Sequence, residues 1–269
     1  MSQADLVPTA QSTLSSRLFQ QLRSEIVSGA LAPGQKLRIR DLSDRYGVGA
    51  TPLREALSRL VSLGFVTTID QRGFRVSPIS LEDLLDITES RQIIEGEAFR
   101  RSIERGDDAW EGELVARMHQ FRKATAGQTT GRFTDGEAWE ALHKSFHAAL
   151  LSACQLPTLI RLANDLYDQG ARYRQLILKL DFPSDRLLES HQALVDVALS
   201  RKGDDGAELL RSHLTITSGL IRAALKEVCD ITRVDSRSAS SRDIEKVLRD
   251  SGAGPAKSPD ETKRNGRTT

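Results

Sequence analysis

The sequence predicts a mainly α-helical chain in two parts: a small N-terminal module of three helices and one hairpin, then a larger all-α antiparallel bundle. Three observations carry this. Leu53, Ala56, Leu57 and Leu60 recur at i, i+3, i+4, i+7 between the turn Gly47-Val48-Gly49 and the helix-ending Gly64. Residues 65–69 and 74–77 read as two short strands around Asp70-Gln71-Arg72-Gly73, a hairpin tip. Beyond Pro78 no convincing strand follows, while apolar residues recur at helical spacing as far as Val228.

In chain order, residues 1–12 form a polar arm expected to be disordered. Residues 15–28 carry Leu18, Leu22 and Ile26 at helical spacing and stop at Gly29. The turn segment Gly29-Ala30-Leu31-Ala32-Pro33-Gly34 follows, with Leu37 anchoring the start of a short helix over 41–46. Thr51 suits an N-cap and Pro52 the first helical position, where a missing N–H costs nothing. The small module therefore spans 13–78. Ser80 is a plausible N-cap, with Asp83 at the capping-box position. Helices are expected over 81–104, 107–126, 135–154, from Pro157 toward Leu180, from Pro183-Ser184 to about 201, and over 207–228. Residues 127–131 are a polar loop. The bundle thus spans 79–228. From 229 to 269 Ser, Arg, Asp, Gly, Pro and Lys dominate, and a disordered polar tail is expected.

A length of 269 residues suits two domains, each with material for a core. The net charge of +1 conceals an asymmetry. Residues 1–78 hold ten Lys/Arg against six Asp/Glu, 79–228 hold nineteen against twenty-four, and the tail holds nine against seven. A basic module beside an acidic bundle fits DNA binding at one end and another task at the other. Cys154 and Cys229 are far apart and form no CxxC, which argues for a reducing compartment. Neither a signal pattern nor an apolar run of membrane-spanning length is present, so no membrane partner and a cytoplasmic location are expected.

Stripe, turn and hairpin occur in the order of a winged helix-turn-helix. Such a motif puts the start of its second helix into the DNA major groove. Thr51 and Arg54 lie at that end, Arg59 lies on the same polar face, and Arg72 with Gly73 forms the wing tip, so all five are candidate DNA contacts. The alternative is a solvated amphipathic helix whose arginines only confer solubility.

The five histidines are His119, His143, His147, His191 and His213. His143 and His147 are i, i+4 neighbours on one helix, flanked by Phe146 and Leu150, so they face the bundle interior. His191 and His213 sit among leucines and isoleucine on two later helices. Four imidazoles on inward stripes could hold Zn, Ni, Fe or Cu in a bundle core, or could be four separate core histidines. His119 stands apart and reads as structural. Glu140-Ala141-Leu142-His143 is one Glu-x-x-His motif. Di-iron enzyme chemistry needs two, and Leu188 and Leu210 stand where the second glutamate would be. A metal-dependent bundle enzyme remains the competing reading.

The whole pattern resembles a GntR-family transcription regulator of the FadR subfamily, with the ligand-binding domain called FCD. The N-terminal match runs Gly29-x-Leu31-x-Pro33-Gly34, Leu42-Ser43, Tyr46-Gly47-Val48, Thr51-Pro52-Leu53-Arg54-Glu55-Ala56-Leu57, Gly64 and Arg72-Gly73-Phe74-x-Val76. The C-terminal match runs Arg91-x-x-x-Glu95, Phe146-His147, His191, Gly203-Asp204 and His213-Leu214. The resemblance implies DNA contacts at Arg40, Thr51 and Arg54. The base-reading arginine usual before that threonine is replaced by Ala50, which removes one contact worth about 1–3 kcal/mol of discrimination.

The same resemblance implies a metal held by His147, His191 and His213, with His143 in place of an aspartate. An all-imidazole set favours a divalent transition metal, Zn or Ni over Mn or Mg. Arg91 resembles the family's effector anchor for a small carboxylate, or pairs with Glu95 one helical turn on. The implied partners are a palindromic double-stranded operator and a second copy of the chain in a homodimer. A regulator whose histidines are only structural is the third reading.

Overall fold

The computed structural model describes residues 13–69, 73–126, 136–177 and 184–234. The N-terminal arm, residues 70–72 of the hairpin tip (Arg72 among them), the 127–131 loop and the tail beyond 234 lie outside the described residues. The described residues up to Glu227 pack as one compact unit.

Helix α1 (Leu14–Val27) begins at Thr13, whose hydroxyl accepts a hydrogen bond from Ser16 N, and it buries Leu18, Phe19, Leu22 and Ile26. Strand β1 (Lys36–Leu37) and helix α2 (Ile39–Tyr46) follow. Gly47 closes α2 in the left-handed region at φ 65°, a conformation glycine adopts without the Cβ clash other residues would meet. Helix α3 (Ala50–Ser62) then buries the expected stripe Leu53, Ala56, Leu57 and Leu60.

The start of α3 differs from expectation. Its N-cap is Gly49, without a side-chain hydrogen bond, and Thr51 lies one residue inside the helix. The first helical N–H groups have no intrahelical partner in any case, so Pro52 is tolerated as the third residue of the helix, two positions later than expected. A side-chain cap contributes about 1 kcal/mol, whereas each fully buried leucine contributes about 1.5–3 kcal/mol. Burial of the stripe therefore dominates the cap in holding α3.

Gly64 (φ 74°) ends the turn into strand β2 (Val66–Ile69), which pairs antiparallel with strand β3 (Gly73–Val76) in the register Val66↔Val76 and Ile69↔Gly73. The sheet order is β1-β3-β2, with Leu37 opposite Phe74. Strand β1 has no sequence signature, because two residues cannot display an alternation. Leu18, Leu22, Leu31, Leu37, Leu53, Leu57, Phe65 and Val76 form the core of this module.

Ser80 caps helix α4 (Leu81–Arg105) by accepting from Asp83 N, as the capping-box spacing predicts. The bundle continues with α5 (Asp108–Ala126), α6 (Gly136–Leu151) running into a 3₁₀ turn at Ser152–Cys154, α7 (Pro157–Ile177), α8 (Ser184–Leu199) and α9 (Gly203–Val234). Helix α9 starts at Gly203, four residues before the expected 207, and runs past Val228, since no Gly or Pro stands between 220 and 234 to stop it. The bundle core gathers Phe99, Ile103, Leu114, Phe121, Phe146, Leu150, Leu194 and Leu210.

Helix α7 also touches the small module. Arg23 of α1 bridges Asp165 at 2.9 Å and Asp168 at 2.8 Å. Gln169 donates to Leu63 O (3.0 Å), and Arg172 donates to Ser77 O (2.7 Å). Among the described residues no helix is long and apolar enough to cross a membrane.

Candidate regulatory site and nucleic-acid interface

Packing of α6, α8 and α9 around Phe121 of α5 brings four imidazoles together. His143, His147, His191 and His213 are all buried, whereas His119 is exposed on α5. Nitrogen atoms of His143, His147 and His191 lie within 4.8 Å of one another. His213 falls outside that triad of donor atoms, yet its ring centres 4.6 Å from His191 and 5.5 Å from His147. The ring contacts show all four side chains meeting at one point in the bundle. The donor-atom distances show that His143, in the aspartate position of the resembling family, belongs to the tightest group.

The hydrogen bonds around the rings are uneven. His191 Nδ1 lies 2.7 Å from Leu187 O, which fixes its proton on Nδ1 because a carbonyl only accepts. Its Nε2 is buried without a partner, and both ring nitrogens of His147 are likewise buried and unpaired. His143 Nδ1 lies 2.5 Å from the Tyr167 hydroxyl. Tyr167 in turn bonds Glu140 at 2.9 Å, and Glu140 is ion-paired with the buried Arg174 at 2.6 Å.

Burial, then the charges of neighbouring imidazoles, Arg91 and Arg174, holds His147 and His213 neutral well below the usual histidine range, and His143 is depressed for similar reasons. Burial pushes His191 down to about 4. The neutral imidazole is the form that ligates a metal.

These shifts set an acid limit on the metal-free fold. The unfolded chain takes up protons near 6.5 and the native chain does not, so stability is complete above that pH and falls as acid is added. For His191 alone, a drop from 6.5 to about 4 corresponds to about 3 kcal/mol. The urea midpoint of chelator-treated protein should therefore fall steadily from pH 6.5 toward pH 4. A flat profile would show that the imidazoles are not buried neutral.

Arg91 is buried and forms a two-pronged pair with Glu95, Nε to Oε1 at 2.6 Å and Nη2 to Oε2 at 3.3 Å. Its guanidinium sits 5.2 Å from the Tyr167 ring centre, and that of Arg174 sits 4.3 Å from the same ring. Both arginines line a narrow cleft with Thr88, Leu214 and Ser218. Gly170 makes room for this, since a Cβ there would stand 3.2 Å from Arg91 Nη1. Sequence reasoning missed Tyr167, Arg174 and the use made of Glu140. Tyr167 and Arg174 share a stripe of α7 with the buried Ala163 and Ala171, and polar residues on such a stripe were the available signal.

On the small module Arg40, Thr51 and Arg54 are exposed, as is Arg59. Arg59 is not simply solvated: its guanidinium stacks 4.1 Å from the Phe19 ring centre and Nη1 donates to Ser16 Oγ at 3.3 Å. Ser16, Arg54, Ser58 and Arg59 line an open cleft between the starts of α1 and α3. Gly73 opens β3 at φ 104°.

A winged helix-turn-helix joined to an all-helical bundle with a buried ligand-type site defines a two-part DNA-binding regulator. Comparison with known proteins narrows this. The profile of the bacterial regulatory proteins of the gntR family matches residues 14–76, and that of the FCD domain matches 86–215. The chain is 39% identical to the HTH-type transcriptional regulator BphR of Paraburkholderia xenovorans over 204 residues, covering 76% of this chain and 83% of that protein. It is 35% identical to the HTH-type transcriptional repressor GlaR of Escherichia coli over 211 residues, covering 77% and 95%. Among solved structures, Escherichia coli McbR/YncC shares the fold at a TM-score of 0.68 and 20% identity, covering 79% of this chain and 99% of that one.

The chain belongs to the GntR family of transcriptional regulators, with a C-terminal FCD domain. It is a DNA-binding regulator rather than an enzyme, and the bundle-enzyme reading is set aside: its relatives are regulators, and Glu140 is engaged by Arg174 and Tyr167.

Proposed function

We propose that this regulator is a homodimeric repressor whose operator affinity is set by a small carboxylate bound at a divalent transition metal, Zn or Ni rather than Mn or Mg. His143, His147, His191 and His213 are its ligands. The reading rests on one observation: the His147 nitrogens and His191 Nε2 are buried without partners beside two further imidazoles. Each unpaired buried polar atom costs about 1–3 kcal/mol. A cation accepting the lone pairs of His191 Nε2 and of one His147 nitrogen removes that cost for those two atoms, so the residues fit a metal. Bound there, it supplies a positive anchor for a carboxylate.

Arg91 adds charge to the same neighbourhood while it stays paired with Glu95. Arg40, Thr51 and Arg54 contact the operator, Arg59 buttresses the start of α1, and Arg72 and Gly73 are further DNA contacts. Asp168 accepts both Lys144, the neighbour of His143, and Arg23 of the small module, so α7 is the route by which ligand binding moves the DNA-binding part. Leu85 and Ile93 of α4 and Ile216 and Leu220 of α9 leave apolar surface exposed for the second copy. The repressor named GlaR supports the sign of control.

The test joins three measurements. Protein purified without chelator should contain about one metal per chain by elemental analysis. It should sediment as a dimer. A screen of small carboxylates should find one that raises the melting temperature and releases a palindromic operator in gel shifts, with both effects lost in chelator. Absence of stoichiometric metal, with chelator changing neither stability nor operator release, would leave four structural histidines and defeat the proposal.

A further inference from the structure

We propose that Tyr167 and Glu140 position the His143 ligand: together they hold its proton on Nδ1 and present the bare Nε2 to the metal. This rests on the metal reading above and goes beyond it, because it names residues outside the ligand set and a tautomer that can be observed without any metal.

Counting protons fixes the tautomer. The Tyr167 hydroxyl has two close partners, His143 Nδ1 at 2.5 Å and Glu140 Oε1 at 2.9 Å, and only one proton to give. Glu140 is ion-paired with Arg174, which donates Nη2 to Oε1 at 2.6 Å and Nε to Oε2 at 3.3 Å. An ion-paired carboxylate accepts and does not donate, so the hydroxyl proton goes to Glu140. Were it given to His143 instead, the Tyr167 and Glu140 oxygens would face each other at 2.9 Å with no proton between them. The remaining contact closes only if His143 Nδ1–H donates to the Tyr167 oxygen. The lone pair is then on Nε2.

Leu187 O fixes His191 in the same tautomer by a simpler route. Two of the three imidazoles in the tight group thus present the same nitrogen. His147, with neither ring nitrogen bonded, is left to adapt.

The relay also bears on strength. A ligating histidine whose other N–H points to an acceptor becomes more basic, and loss of such a partner costs about 10–100-fold in metal affinity. Here the acceptor leads through Tyr167 to a carboxylate. It restores part of the negative character forgone when an imidazole stands in the aspartate position. Glu140, the first residue of the lone Glu-x-x-His motif, therefore serves the metal through Tyr167 rather than by binding it.

The test uses the full chain. Two-bond ¹H–¹⁵N correlation spectra of metal-free protein near neutral pH should show His143 protonated on Nδ1 and bare on Nε2, and Tyr167→Phe should turn this into a mixture of tautomers. Competition titrations with a zinc-binding dye should show Tyr167→Phe weakening Zn binding about tenfold to a hundredfold, with a shifted visible band in the Co-substituted protein. In a His143→Ala background the same change should have no further effect on Zn. His143 protonated on Nε2 in the wild type overturns the proposal whatever metal does. So does an unchanged Zn affinity in Tyr167→Phe, or an equal loss with and without His143. Wild-type protein that shows the expected tautomer and binds no Zn overturns the metal reading and the ligand role with it, while the tautomer result stands.

Discussion

Arg54→Ala should weaken operator binding by about 1–3 kcal/mol, roughly tenfold to a hundredfold, if it reads a base. Arg54 is exposed in the first turns of α3, the end of a recognition helix that enters the major groove. The loss should concentrate on the specific site, because a base contact carries sequence information and a phosphate contact does not. With Ala50 in place of the usual reader, Arg54 bears a larger share of discrimination than an arginine flanked by a second one. Gel shifts on operator and on unrelated DNA measure both affinities. Equal losses on the two would reassign Arg54 to phosphate, and no loss on either would remove α3 as the recognition helix. Arg59→Ala should act differently, through the stack on Phe19, as a stability change more than a specificity change.

His143→Asp should keep metal binding but change its character. With the proposed metal bound, four imidazoles would leave its full +2 charge in the site, and an aspartate would lower that to +1. Carboxylate affinity should then fall by on the order of tenfold or more, since the metal's charge dominates its surroundings. Preference should move from Zn or Ni toward Mn, an ion that favours oxygen ligands. The shorter side chain also leaves the Tyr167 hydroxyl without its imidazole partner, so the variant should cost some stability in the metal-free protein. Metal competition assays with thermal shifts across a carboxylate series decide this. Unchanged metal preference and carboxylate response would mean that His143 does not ligate.

Much of this was legible in the residues themselves. The apolar stripe of α3, the glycines at 47 and 64 and the Ser80 cap each state a local rule, and local rules are written in consecutive residues. The i, i+4 spacing of His143 and His147 fixed their common face on the same ground. Helix α3 starts two residues before the expected position because Gly49 and Thr51 are both acceptable caps, and the helix begins where the buried stripe positions it.

Tertiary structure decided what depends on residues far apart in the chain. No spacing rule relates Tyr167 to His143 or Arg174 to Glu140, 24 and 34 residues away; only the packing of α6 against α7 brings them to hydrogen-bond distance. Arg91 could have been free or paired by sequence alone, and burial settled it, because a buried guanidinium is costly without a carboxylate beside it. Strand β1 exists because Leu37 meets Phe74 across the sheet, a pairing that two residues cannot announce in advance. The sequence by itself determined which residues could form the two parts and supply imidazoles to a common core. Tertiary structure decided which nitrogen His191 turns inward, because Leu187 O accepts from the N–H on the ring's other side.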